Sequence, residues 1–517
     1  MAGNIMSWKY YLGITVIASL VLVFLAGFQS VPGYMDAEYY YSMGMRLAEG
    51  EGLAEPFIWN YLSPVDSIPH PGFTYWMPGT AFLSALGVWI SGLHNFTGAK
   101  LIHLLMAAVI PALTMNITWR MTGKRNAAVL AGGLAVFPAF YNIFLGTTDS
   151  FGVMMLLGGV FYLAAEGDDS PWKYLCLGGI AGLMHLVRAE GLIWLAGGWY
   201  CGMMTAKRKP RAILWVLTGY VAIMAPWFTR NLIVFDGIMP PGTSRTFFLM
   251  EYNDLFIYDQ DVLTFKRWFS QGWTAIVKTV NTSLVTNIKN TLLVQGQVIL
   301  TPLIAIGAWG KRRGRSEQAF FLVWICIFLL MSVIFPFAGL RGGFTHSGAA
   351  FQTLLWSLAG SGFYTVISWG IDQRGWIEEK AEIVFGSALV LLIAISALYI
   401  FHDRVIGPDP ASPRWISSYQ DAKRISVHLQ ELGASPEDLI MINNPPGLFA
   451  ASGRSSIVIP NGDVNVLKEA ADFYNAEYLV LERNHPDALN ELYNRPDGEG
   501  GLQYLDALDQ AVFFKLP

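Results

Sequence analysis

The stretch "YYLGITVIASLVLVFLAGF", residues 10–28, decides the fold. It contains no charged residue and has the roughly 20 apolar residues that a membrane-spanning helix needs. It is longer than a usual signal-peptide core and is followed by no convincing cleavage site, so we interpret it as a retained helix. The 517-residue chain is 53% hydrophobic and only 14% charged, whereas soluble proteins are about 25% charged. The sequence therefore predicts a polytopic membrane protein.

Ten further apolar segments are candidate spans, so we predict about eleven transmembrane helices in an α-helical fold. They are 99–119, 127–146, 150–165, 173–187, 190–206, 211–229, 291–309, 317–338, 348–370 and 383–401. The apolar stretch 76–92 follows the Pro- and aromatic-rich "HPGFTYWMPGT", which suits a membrane interface. We predict that it is an interfacial or re-entrant helix.

Basic residues in short loops orient membrane proteins, because cytoplasmic loops are enriched in Lys and Arg. Three basic clusters, at 120–125, 207–211 and 311–315, lie in such loops. If all three are cytoplasmic, two long loops, 29–98 and 230–290, face outward. The result is a multi-pass protein of the plasma membrane, provided that 76–92 does not cross.

The composition changes after residue 401. Residues 402–517 contain the apolar segments "DLIMI", "SSIVI", "AEYLVL" and "AVFFKL", separated by turn signals and helix-like runs. This alternation is typical of a small α/β domain. We therefore predict a transmembrane core over 1–401 and an extracytoplasmic α/β domain over 402–517.

Charged and polar residues collect at the predicted outer ends of the spans, where ionisable groups are functional candidates. Carboxylates there can accept a proton from a hydroxyl group, and Arg can hold phosphate with a bidentate fork. The candidates are Asp36, Glu38, Tyr39, Asp149, Arg188, Glu190, Arg230, Arg341 and His346.

Five of these candidates also have a purely structural interpretation. Asp36 and Asp149 could each cap a helix. Arg188 and Glu190 could form an interfacial ion pair, and Arg230 could anchor a span end by snorkelling to head groups. The three cysteines lie in apolar runs without metal-ligand spacing, and no phosphate loop, dinucleotide fingerprint or nucleic-acid partner is indicated.

Five motifs occur in a fixed order: "MDAEYYYSMGMRLAEGEGL", "HPGFTYWMPGTAFL", "GTTDSF", "RAEGLIWL" and "PWFTRNLIVFDG". Over about residues 10–370 this order resembles the C-type membrane glycosyltransferases, which have the GT-C fold. The group includes protein O-mannosyltransferases and the lipid A aminoarabinose transferase. The C-terminal segment resembles the small extracytoplasmic domains that follow such cores.

The resemblance implies an inverting, extracytoplasmic transfer from a polyprenyl-phosphate-linked sugar to an acceptor that is a protein, a lipid or a polysaccharide. Asp36 matches the acidic residue of the first outer loop, the general base. Asp149 matches the acidic residue of the second loop, which positions a substrate. Arg188 falls where members keep a basic residue near the lipid phosphate. Further phosphate contacts, with a histidine beside them, fall at Arg230, Arg341 and His346.

The first outer loop departs from the O-mannosyltransferase pattern, because Ala37 separates Asp36 from Glu38. The resulting D-x-E resembles members that bind a divalent metal, such as oligosaccharyltransferases. Asp36 and Glu38 are therefore predicted ligands of Mg²⁺ or Mn²⁺, with metal dependence left open. The chain also lacks the large beta-trefoil insert of eukaryotic O-mannosyltransferases.

Two other classes of function stay open. A membrane transporter or lipid-handling protein would carry intramembrane charges and broken helices near the bilayer midplane, often in repeated halves. The notable charges here lie at the ends of spans and no repeat is visible. A non-catalytic membrane scaffold would make Asp36 dispensable.

Overall fold

The computed structural model describes residues 6–496 and 501–517, and it is predominantly helical. The helices up to residue 401 are α1 (Trp8–Ala26), α2 (Met35–Ala48), α3 (Gly79–Ser91), α4 (Phe96–Thr122), α5 (Arg125–Val136), α6 (Ser150–Glu166), α7 (Pro171–Val187), α8 (Ile193–Thr205), α9 (Lys209–Phe235), α10 (Phe265–Ser270), α11 (Gly272–Asn290), α12 (Thr301–Lys311), α13 (Arg315–Leu329), α14 (Pro336–Leu340), α15 (Gly343–Gly348), α16 (Gln352–Arg374) and α17 (Glu378–Phe401).

Within the described residues, six helical stretches are long and apolar enough to cross a membrane. They are Trp8–Ala26, Phe96–Thr122, Lys209–Phe235, Arg315–Ile334, Gly343–Arg374 and Glu378–Ile406. Three shorter apolar helices, α3, α5 and α6, accompany them. The outward residues of α1 and α17 are large, apolar and exposed, as expected for helices that face lipid. The total of about eleven crossings stays a prediction.

Two predicted spans differ from the observed helices. The α-helix in the segment 127–146 ends at Val136, because Pro138 follows and disfavours helix in the residue before it; a short 3-10 helix, Ala139–Ile143, comes next. The segment 291–309 is broken: a π-helical turn ends at Gln295, and α12 begins at Thr301. Gln297 and Val298 between them have positive φ angles, which no continuous helix accommodates.

Glycine allows the closest helix contacts. A Cβ at Gly178 of α7 would lie 1.8 Å from the carbonyl oxygen of Val216 in α9. A Cβ at Gly158 of α6 would lie 1.8 Å from the carbonyl oxygen of Ala350. Small residues let membrane helices approach backbone to backbone. Gly158 and Gly178 therefore allow α6 and α7 to pack closely against their neighbours.

The two long loops are structured. The loop 29–98 holds α2, α3 and the short strands β1 (Ala54–Glu55), β2 (Phe57–Ile58) and β3 (His70–Pro71), with β1 and β3 antiparallel. The region 230–290, predicted as an outer loop, contains α10 and the 19-residue α11.

Residues after 401 form a sheet with flanking helices. Its strands are β4 (Leu439–Ile442), β5 (Ser456–Val458), β6 (Ala476–Leu481), β7 (Gln503–Leu508) and β8 (Ala511–Lys515). The helices are α18 (Ser417–Glu431), α19 (Pro445–Ser452), α20 (Val464–Tyr474) and α21 (Asn490–Asn494). The four apolar segments predicted as strands correspond to β4, β5, β6 and β8.

The sixth strand of this sheet comes from the first loop. The strand order is β2-β5-β4-β6-β8-β7, and β2 pairs in parallel with β5 through Phe57 and Ile58. The Tyr61 hydroxyl also donates a hydrogen bond to the carbonyl oxygen of Val458. The first loop and the C-terminal sheet therefore lie on one side of the helical core. The division into domains at residue 401 stays a prediction.

Candidate active site

Two carboxylates and an imidazole meet at the helix ends. Asp36 lies in the first turn of α2, Asp149 immediately precedes α6, and His346 lies in α15. The His346 Nε2 atom is 3.7 Å from Asp36 Oδ2, and its Nδ1 atom is 3.7 Å from Asp149 Oδ1. The histidine therefore lies between the acidic residues of two loops. The sequence had placed all three residues at the same predicted ends of the spans.

The two carboxylates differ in access. The Asp149 side chain is fully enclosed, whereas 28% of the Asp36 side chain is exposed. Asp149 accepts hydrogen bonds from the Ser150 backbone N–H and hydroxyl and from the Tyr34 hydroxyl. It is the N-cap of α6, so its predicted capping role is confirmed. Of this carboxylate pair, Asp36 is the one that a substrate can reach.

The capping interpretation of Asp36 is wrong, because Tyr34 is the N-cap of α2 and Asp36 lies inside the first turn. A negative charge at that position is favoured by the helix dipole. Burial, then the charge of Asp149, raises the pKa of Asp36 to about 7, while Arg188 acts in the opposite direction. Burial also raises the pKa of Asp149.

Arg188 supplies positive charge beside the acids. Its Nε atom forms an ion pair with Glu190, which also accepts a 2.6 Å hydrogen bond from the Ser347 hydroxyl. The predicted ion pair is therefore confirmed. Within residues 6–496 and 501–517, the two terminal amino groups of Arg188 make no hydrogen bond. The Arg188 side chain is 14% exposed. The arginine is thus anchored at one nitrogen and open at two.

His346 is held by its neighbours. Its ring stacks on Phe151, with ring centroids 3.9 Å apart, and its Nδ1 atom lies 3.3 Å from the Ser150 hydroxyl. Ser347 is the next residue along α15 and bonds to Glu190. One short helix therefore positions the histidine against the acids and the serine against the Arg188 partner.

Glu38 does not join Asp36 as a ligand. It is 1% exposed and accepts a 2.9 Å hydrogen bond from Asn444 Nδ2. Burial raises its pKa to about 7, and the Asn444 hydrogen bond opposes that shift. Residues two apart on a helix point in different directions. The group whose possible ligand atoms converge is instead Asp36, Asp149 and His346, and the predicted Asp36–Glu38 metal pair stays a prediction.

That group fits a divalent cation. Each residue offers one ligand atom, and these atoms lie within 4.8 Å of one another. Two carboxylate oxygens and an imidazole nitrogen suit a divalent metal of the Mn²⁺ or Zn²⁺ type, since imidazole binds Zn²⁺ and carboxylate binds Mn²⁺ and Mg²⁺.

Tyr39 and Arg230 support the loop rather than line the acid cluster. The Tyr39 hydroxyl donates to Glu55 at 3.1 Å, and the Phe73 backbone N–H also points to Glu55, at 3.3 Å. Arg230 donates to the Gly72 carbonyl oxygen at 2.9 Å, so it does not simply snorkel to head groups. Burial raises the pKa of Glu55 to about 8. Sequence reasoning did not select Glu55.

Arg341 lies at the rim. Its guanidinium group is 3.9 Å from the ring centroid of Tyr252. Burial and, to a lesser extent, the charge of Asp36 raise the pKa of Tyr252. Other site residues were also missed: Tyr34, Tyr40, Ser150, Tyr252 and Ser347. The available signal was their position within two residues of a selected residue, which holds for Tyr34, Tyr40, Ser150 and Ser347 but not for Tyr252.

The comparisons with known proteins concern the fold. No protein-family model and no curated protein matches the chain. Among solved structures, ArnT from Cupriavidus metallidurans bound to undecaprenyl phosphate matches with a TM-score of 0.56 and 13% identity, over 99% of this chain and 98% of that one. The chain has the GT-C fold.

Two oligosaccharyltransferase structures from Archaeoglobus fulgidus support the same GT-C assignment. One, in complex with Zn and sulfate, has a TM-score of 0.54 and 15% identity, over 97% of this chain and 73% of that one. The other, AglB with an inhibitory peptide and a dolichol-phosphate, has a TM-score of 0.52 and 14% identity, over 91% and 69%. The GT-C fold expected from the motif order is therefore confirmed.

Proposed function

We propose that this GT-C protein is an inverting glycosyltransferase, which moves a sugar from a polyprenyl-phosphate donor to an extracytoplasmic acceptor. The observation that carries the proposal is the reachable Asp36 carboxylate beside the open guanidinium group of Arg188. A base and a phosphate-binding cation are the two groups that a single displacement from a glycosyl phosphate requires.

Asp36 acts on the acceptor. As the acceptor oxygen attacks the anomeric carbon, the new C–O bond forms and the bond from that carbon to the phosphate oxygen breaks. The acceptor proton passes to Asp36, and the electron pair of the broken bond leaves with the phosphate. The sugar inverts in this one step, so no covalent sugar–enzyme intermediate is needed.

Arg188 acts on the leaving group. Negative charge grows on the phosphate as the bond breaks, and a guanidinium group stabilises it with two parallel hydrogen bonds. The free terminal amino groups of Arg188 support this role. The ion pair with Glu190 holds the guanidinium group in place, so the Arg188 side chain loses little conformational entropy when the donor phosphate binds.

A divalent cation is compatible with this site, and the ligands would be Asp36, Asp149 and His346. It would supply positive charge near the donor phosphate and the acceptor oxygen. Asp149 and His346 also have structural roles that do not depend on a cation. Asp149 caps the N-terminus of α6, and His346 holds α15 next to Asp36.

The lipid part of the donor needs an apolar surface. A cavity of about 220 Å³ lies between α12, α13 and α16 and is lined by side chains such as Phe320, Trp324 and Leu354. ArnT and AglB are the neighbours whose structures contain undecaprenyl phosphate and dolichol-phosphate. We infer that this cavity takes part of an isoprenoid chain.

The experiment is mass spectrometry of lipid-linked sugars and glycans from membranes with and without the gene, followed by complementation. We expect the wild-type chain to restore transfer and Asp36→Asn to fail. Asp66→Asn, an exposed acid in the same loop, is the matched control and should restore it. Full transfer by Asp36→Asn would exclude the proposed chemistry and favour a transport or lipid-handling role.

Sidedness has its own test. A reporter fused after Lys311 should lie in the cytoplasm, and one fused after Pro517 should lie outside. The opposite result for Lys311 would overturn the extracytoplasmic location of the site.

A further inference from the structure

A second cavity, with polar side chains in its lining, lies in the C-terminal sheet region, away from Asp36, Asp149 and His346. Its volume is about 620 Å³, within the roughly 300–1,000 Å³ of small-molecule sites. Its lining residues follow the carboxyl ends of β4 and β6 and precede β8. In open α/β sheets the crevice beyond the carboxyl ends of parallel strands is where ligands bind.

The chemistry of the lining is specific. Four side-chain amides contribute to it, together with two arginines and three carboxylates: Asn443, Asn444, Asn484, Gln510, Arg424, Arg483, Asp421, Glu482 and Asp509. Amides both donate and accept hydrogen bonds. One of the two arginines is already compensated, because Arg424 pairs with Asp509 at 3.0 Å and with Asp421.

This lining excludes two classes of ligand. Three carboxylates face two guanidinium groups in the cavity, so a phosphate or another anion would meet net negative charge. An apolar ligand would desolvate the side chains of Glu482, Asn484 and Gln510, which make no hydrogen bond among the described residues, and that is costly. A neutral ligand rich in hydroxyl groups meets both conditions, since each hydroxyl can donate to a carboxylate and accept from an amide.

The cavity is connected to the candidate active site. Asn444 lines it and donates to Glu38 at 2.9 Å. Glu38 lies in α2, two residues after Asp36. Asn444 therefore lies between a ligand in the cavity and α2, the helix that carries the proposed base Asp36.

We propose that this cavity binds a neutral saccharide, the carbohydrate part of the acceptor. The proposal rests on the proposed glycosyltransferase function and narrows its acceptor to a glycan-bearing molecule. It also gives the C-terminal region a task, because a saccharide held there is anchored on the same side of the core as Asp36.

The test measures binding directly on the full-length protein in detergent micelles. Saturation-transfer NMR is recorded with glucose, galactose, mannose, N-acetylglucosamine and their β1–4 and α1–4 disaccharides, and with glucose 1-phosphate and inorganic phosphate. We expect at least one neutral saccharide to receive saturation. Binding of none of them, or of the phosphates alone, would overturn the proposal.

Two variants locate the site. Gln510→Trp at the exposed rim should block the cavity and abolish the signal, while Gln503→Trp, exposed on edge strand β7, should keep it. Glu482→Gln keeps the volume and removes one strong acceptor, so it should weaken binding about tenfold. Equal binding by all three variants and the wild type would place the saccharide elsewhere and contradict the proposal.

The outcome is separable from that of the proposed function. Asp36→Asn should lose transfer but keep saccharide binding. In transfer assays, Glu482→Gln should raise the acceptor KM and leave kcat unchanged. If Asp36→Asn retains transfer, the proposed function fails whatever the NMR shows; if transfer needs Asp36 but Glu482→Gln keeps the wild-type KM, only the cavity proposal fails.

Discussion

Asn444 and Glu38 are 406 residues apart in the chain, and the Asn444 amide donates a 2.9 Å hydrogen bond to the Glu38 carboxylate. Glu38 is buried, and it lies one helical half-turn from Asp36. A residue of the C-terminal region therefore sets the environment of α2. The same Asn444 caps α19 by accepting from the Gly447 N–H at 3.2 Å.

Asn444→Asp separates these two roles. Aspartate is as good a helix cap as asparagine, but it replaces the donor to Glu38 with a second carboxylate. Above pH 8 two adjacent negative charges cost several kcal/mol, so we expect transfer activity to fall at least about tenfold. Membrane transfer assays at pH 8.5 measure the effect.

Asn465→Asp is the matched control, because Asn465 is exposed on α20 and its side-chain amide donates to the neighbouring Asp463. Wild-type activity of Asn444→Asp at pH 8.5 would mean that the contact with Glu38 does not position α2.

Arg188 tests the phosphate contact. Removing one preorganised donor to a developing negative charge typically costs about 10²–10³ in kcat. We expect that loss for Arg188→Gln and a smaller one for Arg188→Lys, which keeps the charge but loses the planar fork. The control is Arg211→Gln, an exposed arginine at the start of α9. Unchanged kcat in Arg188→Gln would remove the arginine from the mechanism.

His346 tests the cation site. Mn²⁺ binding to the purified protein, measured by isothermal titration calorimetry, should show one site. His346→Ala should weaken it at least about tenfold, since even the loss of a residue that hydrogen-bonds to a metal ligand typically costs roughly 10–100-fold in affinity. The exposed His94→Ala should bind as the wild type does. Equal affinity in His346→Ala would mean that any bound metal lies elsewhere.

Glu55 makes stability depend on pH. Burial raises its pKa to about 8 in the folded protein, whereas the unfolded chain loses that proton near the ordinary value of about 4.3. Between about pH 5 and 8 the folded state therefore binds more protons than the unfolded state. The free energy of unfolding falls as pH rises, by up to about 1.4 kcal/mol per pH unit.

Glu55→Gln should lack this component and hold its apparent Tm better than the wild type between pH 6 and 8. The control is Glu49→Gln, an exposed glutamate at the end of α2. Parallel curves of apparent Tm against pH for the wild type and Glu55→Gln would contradict the prediction.

Gly178 tests the helix packing. Alanine there would bring Cβ within 1.8 Å of the Val216 carbonyl oxygen, and backbone cannot give way cheaply. We expect a loss of about 1–3 kcal/mol, seen as a lower apparent Tm. Gly13→Ala has nothing within 4 Å and should be neutral or slightly stabilising, because glycine weakens a helix interior. Equal apparent Tm values would mean that α7 and α9 separate freely.

Hydropathy predicted most of the helices because it is a local property. The predicted span 10–28 corresponds to Trp8–Ala26, and the predicted non-crossing helix 76–92 corresponds to Gly79–Ser91. The break inside 291–309 escaped prediction, because its residues are as apolar as those of a continuous helix. The backbone there turns through Gln297 and Val298, and composition alone does not report that.

The sequence predicted which residues come together in the site but not which residues they contact. Sidedness alone gathered Asp36, Asp149 and His346, and their ligand atoms do converge. The partner of Glu38 was not predictable, because Asn444 is one polar residue in a distant turn. Strand β2 has only two residues, which is too short for a periodic pattern.

The pairing of β2 with β5 has a consequence for biosynthesis. Tyr61 and its partner Val458 are 397 residues apart, so the loop that carries Asp36 emerges from the ribosome long before its partner strand exists. While most of the helices insert into the membrane, β2 in this loop of the nascent chain has no β5 to pair with. The sheet that holds this loop is completed among the last steps of folding, and a chain cut short before residue 456 lacks β5, the partner of β2.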